Sequence, residues 1–309
     1  MTKERTHVGF KDRVSAALFL SLALIFGIAL SSEVSEYVKD GMLLAIGSVI
    51  PTSLPFMIIS DFYICYGRPE NIGVLRRIFT RLFGIGEYGI TPLISGNIGG
   101  FPIGAKMCAE CYHRGMLTRE EAERLMPLSN NPSPAFVVGG VGMGIYGDPR
   151  VGALLLISIY IATVLCGIIT SGKRDKTPTN TNYVNNSFDF VASVRNAGIN
   201  SISIISFISV FSVITGLVNK HVGYAPVTYV LSLFLEVTNA VKTYSSATHL
   251  SKDFGMILSA FALGFGGVSV ALQSSVFASF GGLKMRKYYL IKLMEGVLCA
   301  AVFSILYMI

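Results

Sequence analysis

Two lysines, Lys106 and Lys242, and one carboxylate, Glu236, stand in stretches of sequence that are otherwise apolar enough to lie at membrane depth. A charge in hydrocarbon is expensive, so such residues are candidates for function by default. Facing one cavity, the two ammonium groups would hold an anion. Glu236 would bind a coupling H+ or Na+, or would hydrogen-bond the backbone around it. Two structural alternatives stand beside these roles. Lys106 pairs with Glu110, one helical turn on, and Lys242 snorkels to the interface. Lys292 and Glu295, three residues apart, are expected to neutralise each other.

Around these charges the apolar runs are interrupted at four places: Ser95–Gly104, Ser129–Pro134 (Ser-Asn-Asn-Pro-Ser-Pro), Glu236–Lys242, and Gly264–Gly267 leading to Gln273-Ser274-Ser275. Proline and glycine release backbone groups from a helix. The half-helix N-termini this creates present free N–H groups and a positive dipole end, suited to carboxylate or phosphate. Broken helices in corresponding halves point to a transport site. The expected substrate-binding set is Ser95, Gly96, Asn97, Phe101, Lys106, Asn130, Asn131, Ser133, Thr238, Asn239, Gln273 and Ser274, with Glu236 as the coupling-ion candidate. The alternative is that the breaks are kinks packed against neighbouring helices.

Other chemistry has less to stand on. Cys108 and Cys111 form a CxxC followed by His113, but no second ligand pair accompanies them. Buried apolar thiols are favoured over a zinc or redox site, and no metal or cofactor is expected. His7, His113, His221 and His249 lack ligand spacing. No HExxH, Walker loop or GxSxG occurs, so an enzyme has no motif to rest on. Thr118-x-x-Glu121 is a capping box that starts a helix.

The elements that must position these residues follow from charge distribution. Of 309 residues, 14% are charged, against about 25% in a soluble domain. No Lys, Arg, Asp or Glu occurs between Arg13 and Glu33, Asp40 and Asp61, Arg124 and Asp148, Arg150 and Lys173, Arg195 and Lys220, or Asp253 and Lys284. Each gap can hold the ~20 apolar residues of a membrane-crossing helix. Seven crossings are predicted, at roughly 14–32, 41–62, 124–147, 150–171, 196–218, 254–279 and 288–308. Val14–Leu30 lacks a small-x-small cleavage site and is read as a retained span rather than a signal peptide. Residues 88–115 and 227–250 are predicted as re-entrant hairpins, tolerated where protein or water covers the backbone tip. An amphipathic basic stretch, Ile72–Phe83, and a polar linker, Lys173–Asp189, complete the chain.

With that topology, 18 of the 25 Lys and Arg fall on the side of the N-terminus. The positive-inside rule makes that side cytoplasmic and puts the C-terminus outside. The net charge of +7 is therefore an orienting signal rather than a nucleic-acid surface. Partners are the lipid bilayer, a small anionic substrate and a coupling H+ or Na+, and homo-oligomerisation stays open.

An offset of 133 residues relates Leu117-Thr118-Arg119-Glu120 to Leu250-Ser251-Lys252-Asp253, and Val164-Leu165-Cys166-Gly167 to Val297-Leu298-Cys299-Ala300. An odd number of crossings separates the hairpins, so the repeat is inverted, the architecture of many alternating-access carriers. The expected fold is an all-α polytopic membrane protein of about seven transmembrane helices plus two re-entrant hairpins. Its parts are an N-terminal helix (1–40), a first gate-type repeat (41–172), a cytoplasmic linker (173–190) and a second, inverted repeat (191–309).

Four stretches carry a family likeness. Gly99-Gly100-Phe101-Pro102-Ile103-Gly104-Ala105-Lys106, Leu117–Leu125 and Asn130-Asn131-Pro132-Ser133-Pro134-Ala135-Phe136, with Leu235-Glu236-Val237-Thr238-Asn239, resemble the YlbJ family of sporulation integral membrane proteins. The likeness covers roughly residues 41–309 and places the chain in the nucleoside-recognition or gate-domain group, related to concentrative nucleoside transporters. It implies a role in endospore formation, with dipicolinic acid moved across the mother-cell-derived outer forespore membrane. A planar dianion agrees with the separate expectation drawn from Lys106, Lys242 and helix N-termini. A nucleoside carrier, or a non-transporting protein of spore-envelope assembly, is the alternative.

Overall fold

The computed structural model describes residues 21, 30–66, 73–172, 188–222, 225–247 and 250–308, and among them the ordered elements are all helical. Most of the predicted first span, 14–32, and most of the linker lie outside the described residues. Helix α1 (Ser31–Leu44) runs through a π-helical turn (Ala45–Val49) into α2 (Ile50–Tyr66). The predicted crossing at 41–62 is thus the second half of a longer helix. It begins ten residues earlier than expected, so Glu33, Glu36, Lys39 and Asp40 are helical. The basic stretch forms α3 (Gly73–Phe83), which buries Thr80 and Phe83 and exposes Val74 and Ile78 beside Arg77 and Arg81.

The two predicted hairpins are pairs of short helices. The first is α4 (Ile90–Gly99) and α5 (Ile103–His113); the second is α9 (Ala225–Leu235) and α10 (Val237–Ser245). Gly100 turns the first tip at φ 84°, a conformation that a side chain would strain. The pair then packs on the end of α6 (Arg119–Ser129) so closely that a Cβ on Gly104 would collide with the Ser129 carbonyl.

The capping box at the start of α6 has both halves. Thr118 Oγ1 accepts from the Glu121 amide at 3.2 Å, and Glu121 Oε2 accepts from the Thr118 amide at 3.0 Å. The other Glu121 oxygen takes the Gly86 amide at 2.7 Å, which ties α6 to the loop before α4. Arg124, also buried, donates to the carbonyls of Phe83, Gly84 and Thr170.

The predicted third span, 124–147, is not one helix. Chain 130–133 is non-helical, because Pro132 and Pro134 remove two donors, and an 11-residue π-helical segment (Ala135–Ile145) follows. Helix α7 (Pro149–Ile169) starts where Asp148 Oδ1 accepts from the Arg150 amide at 2.8 Å, with proline at the position that has no donor to satisfy. Helix α8 (Phe190–Val222) runs for 33 residues. Helix α11 (Lys252–Phe265) starts at Ser251, whose hydroxyl accepts from the Phe254 amide, and breaks at Gly266 before α12 (Gly267–Gly281). The last helix is α13 (Arg286–Met308).

Among the described residues, four stretches are long and apolar enough to cross a membrane: Pro149–Ile169, Phe190–Val222, Lys252–Gly281 and Arg286–Met308. Their outward faces are apolar. Ile157, Ile161, Leu165 and Ile168 stand exposed along α7, and Val297 and Ile305 along α13. Spaced at helical turns, they present a lipid-facing stripe. Inside, three buried clusters form: one around Phe83, Leu125 and Tyr288, a second around Phe136, Leu155, Leu263 and Phe303, and a third around Met57, Met107 and Ile204. All five cysteines are free, and Cys108 and Cys111 are fully buried within the first cluster.

Candidate functional site

Four helical segments begin around one point. They are α5 at Ile103, the π-helical segment at Ala135, α10 at Val237 and α12 at Gly267. Between their starts lies a cavity of about 40 Å³. It is lined by Gly99, Gly100, Phe101, Pro132, Ser133, Phe136, Glu236, Val237, Thr238, Val270 and Gln273, with Val49 and Ile208 on the flank. Each helix N-terminus carries roughly half a positive charge, so the starts converge a positive field on that space.

The four ends are satisfied differently. Ser133 Oγ accepts from the Phe136 amide at 3.3 Å. The Glu236 carboxyl group takes the Thr238 amide at 3.0 Å and the Asn239 amide at 2.7 Å, so the start of α10 is already capped by the chain itself. Helices α5 and α12 begin at Pro102 and Gly266 without any side-chain cap.

A polar network adjoins the cavity and joins both halves of the chain. The Lys292 ammonium lies 2.7 Å from Asn131 Oδ1, 2.9 Å from Glu295 Oε2 and 3.3 Å from the Asn130 carbonyl. The Asn131 amide nitrogen donates to Asn97 Oδ1 and to Thr163 Oγ1, each at 2.9 Å, and the Thr163 hydroxyl lies 2.5 Å from Glu295 Oε1. Asn97 in turn donates to the Leu128 carbonyl at 3.0 Å. Asn130 Nδ2 donates to the hydroxyls of Ser274 and Tyr288, each at 2.8 Å, while its Oδ1 is buried without a partner.

The expected residues therefore divide. Phe101, Ser133, Glu236, Thr238 and Gln273 line the cavity. Asn97, Asn130, Asn131 and Ser274 belong to the network. Asn239 and Lys242 face a separate cleft of about 620 Å³ with Asp40, Ser212, Thr215 and Asn219. That cleft lies about one turn along the same elements as the cavity, since Leu44 stands a turn before Val49, and Ser212 and Lys242 a turn after Ile208 and Thr238. Gly96 packs against the Ser129 carbonyl, and Ser95 is half-buried on α4 away from the cavity lining.

Lys106 is neither on the cavity wall nor paired with Glu110. Its ammonium lies 2.5 Å from Asp61 Oδ1 and 3.3 Å from the Met57 carbonyl, and Ser193 donates to the other Asp61 oxygen at 2.8 Å. Glu110 binds Arg114 at 2.7 Å instead. Asp61 closes one of the charge-free runs, and nothing local in the sequence joins it to Lys106, 45 residues on. The i, i+3 pair Lys292–Glu295 is visible in the sequence, but its place between Asn131 and Thr163 is not.

No family model matches the chain, and no solved structure matches it. Among curated proteins it is similar to the sporulation integral membrane protein YlbJ of Bacillus subtilis strain 168. The two are 26% identical over 336 residues, covering 94% of this chain and 80% of the relative.

Proposed function

We infer from this similarity that the chain is a member of the YlbJ family of sporulation integral membrane proteins, and on that premise we propose that it is a secondary carrier of a small anion. The carrying observation is the convergence of four helix starts on one cavity, two of them without a side-chain cap. Uncapped N–H groups and aligned dipoles are what a carboxylate finds at a transport site. Dipicolinate, a planar dianion, suits such a site and the sporulation context of the relative.

Several features support an inverted-repeat carrier. Thr118 and Ser251 both cap helices at the 133-residue offset, and Cys166 and Cys299, at the same offset, are both fully buried. Each half contributes one helical hairpin and one broken helix to the cavity. Lys and Arg concentrate on the N-terminal side, which makes that side cytoplasmic. The cleft at Lys242 and Asn219 then opens to the opposite face. A cavity of about 40 Å³ has room for roughly two or three waters, so a metabolite binds only when the hairpin tips part. We read this arrangement as a closed intermediate of alternating access. Glu236, which holds the start of α10, is the coupling-proton candidate.

The absence of lysine from the cavity wall, with Phe101, Ser133, Thr238 and Gln273 present, favours a second reading: a nucleoside carrier, recognising its cargo by stacking and neutral hydrogen bonds. Uptake of labelled dipicolinate and of labelled nucleosides into proteoliposomes separates the two. Saturable dipicolinate uptake that unlabelled nucleosides do not compete away is the expected result. Nucleoside uptake alone would establish the second reading, and uptake of neither would leave an envelope-assembly role.

A further inference from the structure

The starts of four helical segments face the cavity, and the end of one faces the Lys292 ammonium. Asn130 terminates α6, so its carbonyl sits at the negative end of that helix dipole. Half-helix C-termini and unwound carbonyls are the groups that hold monovalent cations in membrane carriers. Around this point lie the Asn130 carbonyl, Asn131 Oδ1 and Glu295 Oε2, all within 3.3 Å of Lys292 Nζ. These three acceptors match the three protons of an ammonium. Lys292 is 1% exposed and Glu295 0%. A buried charge pair of this kind is held only where its hydrogen bonds are satisfied.

We propose that Lys292 is a tethered monovalent cation, filling a cation site built by the α6 terminus, Asn131 and Glu295. The chain therefore takes no dissolved Na+ at this position. The ammonium supplies the charge that balances Glu295 and latches the first hairpin through the Asn131–Asn97 contact. This deepens the carrier reading, because it assigns the cation side of the transport site to the protein itself. Removing the side chain leaves a buried carboxylate, an amide oxygen and a helix-terminal carbonyl, the oxygen set that a hard monovalent cation prefers.

The test reads stability, so it is decided whether or not the chain carries anything. The purified full chain, K292A, K292R and K292A/E295Q are unfolded by heat in detergent, in NaCl and in choline chloride at equal ionic strength. Wild type and K292R should unfold at the same temperature in both salts. K292A should unfold earlier in choline and recover with added Na+ along a saturating curve. At ten times the dissociation constant its folded-to-unfolded ratio should rise about 11-fold. The recovery should vanish in K292A/E295Q, which lacks the carboxylate. Specific Na+ stabilisation of wild type or K292R would overturn the assignment, and so would a K292A that ignores Na+. If K292A cannot be recovered from membranes, specific Na+ stabilisation of wild type or K292R still overturns the assignment.

Discussion

The Lys106 ammonium and the Asp61 carboxylate, 2.5 Å apart, join the first hairpin to the long helix α2, and Ser193 at the start of α8 completes the contact. Both side chains keep some solvent exposure, 13% and 22%. The pair is therefore a clamp between the hairpin and its scaffold, at a distance from the cavity lined by the tips.

A clamp and a substrate ligand respond differently to substitution. K106M and D61N each leave one charge without its partner and should each lower stability, while K106M/D61N should lose less than the sum. The coupling expected from thermal unfolding of the four proteins is about 1 kcal/mol. The double variant should keep its apparent affinity for dipicolinate in proteoliposomes. A large loss of affinity in K106M that the double variant does not repair would return Lys106 to the binding site.

Gly104 tests the close approach of the hairpin to α6. A methyl group there would strike the Ser129 carbonyl, and that backbone cannot yield without moving the chain next to Asn130. G104A should cost about 1–3 kcal/mol in thermal unfolding. Gly198, in the third turn of α8, has nothing within 4 Å of where its Cβ would stand. G198A should be neutral or stabilise by about 0.5–1 kcal/mol. Equal effects from the two substitutions would contradict the packing described.

The breaks were legible because proline and glycine cannot hide. Gly96–Pro102, Asn130–Pro134 and Gly264–Gly267 all fall where helices stop and start. The helix pair within 88–115 follows from the same signal, whereas the pair within 227–250, which has no proline or glycine at its break, follows from the polar run Glu236–Lys242 after Leu235. Partners of charged side chains were less accessible. Helical spacing pointed Lys106 to Glu110, but Glu110 also has Arg114 four residues on and pairs with it. That leaves Lys106 for Asp61 on another helix. Lys292 and Glu295 read as a pair that neutralises itself, since their spacing says nothing of Asn131 and Thr163, contributed by elements far earlier in the chain. For Glu236 the sequence left two roles open, a coupling-ion ligand or a hydrogen bond to the backbone around it, and the carboxylate does turn back onto the start of α10.

Glu33 gives a pH signature at the other end of the scaffold. The hydrogen bond from Lys220, at 2.9 Å, is the main cause that holds its carboxyl below the usual range, and His221 adds to it. A folded-state pKa below the unfolded value stabilises at pH above the unfolded value, about 4.3. That contribution is lost as pH falls through the folded value. E33Q should therefore unfold earlier than wild type near neutrality, with the two melting temperatures converging below about pH 4. A difference that is constant with pH would show that the contact does not depend on the carboxylate charge.

Glu236 is the residue on which the coupling proposal can fail most clearly. It is 2% exposed, lines the cavity, and holds two backbone amides at the start of α10 through separate oxygens. In E236Q the side-chain oxygen can keep one amide, but the NH2 group faces the other with a donor. The expected cost is about 1–2 kcal/mol of stability, as for the loss of a helix cap. If the carboxylate also carries the coupling proton, substrate exchange should survive in E236Q while uptake driven by a pH gradient is lost. Measuring both modes in the same proteoliposomes distinguishes a cap from a coupler. Gradient-driven uptake equal to that of wild type would leave Glu236 as a cap alone, and coupling would have to lie elsewhere. E236A removes both acceptors and should lose more stability than E236Q, with the second hairpin loosened at its tip. Protection of the amides of Thr238 and Asn239 in hydrogen exchange should fall in the order wild type, E236Q, E236A.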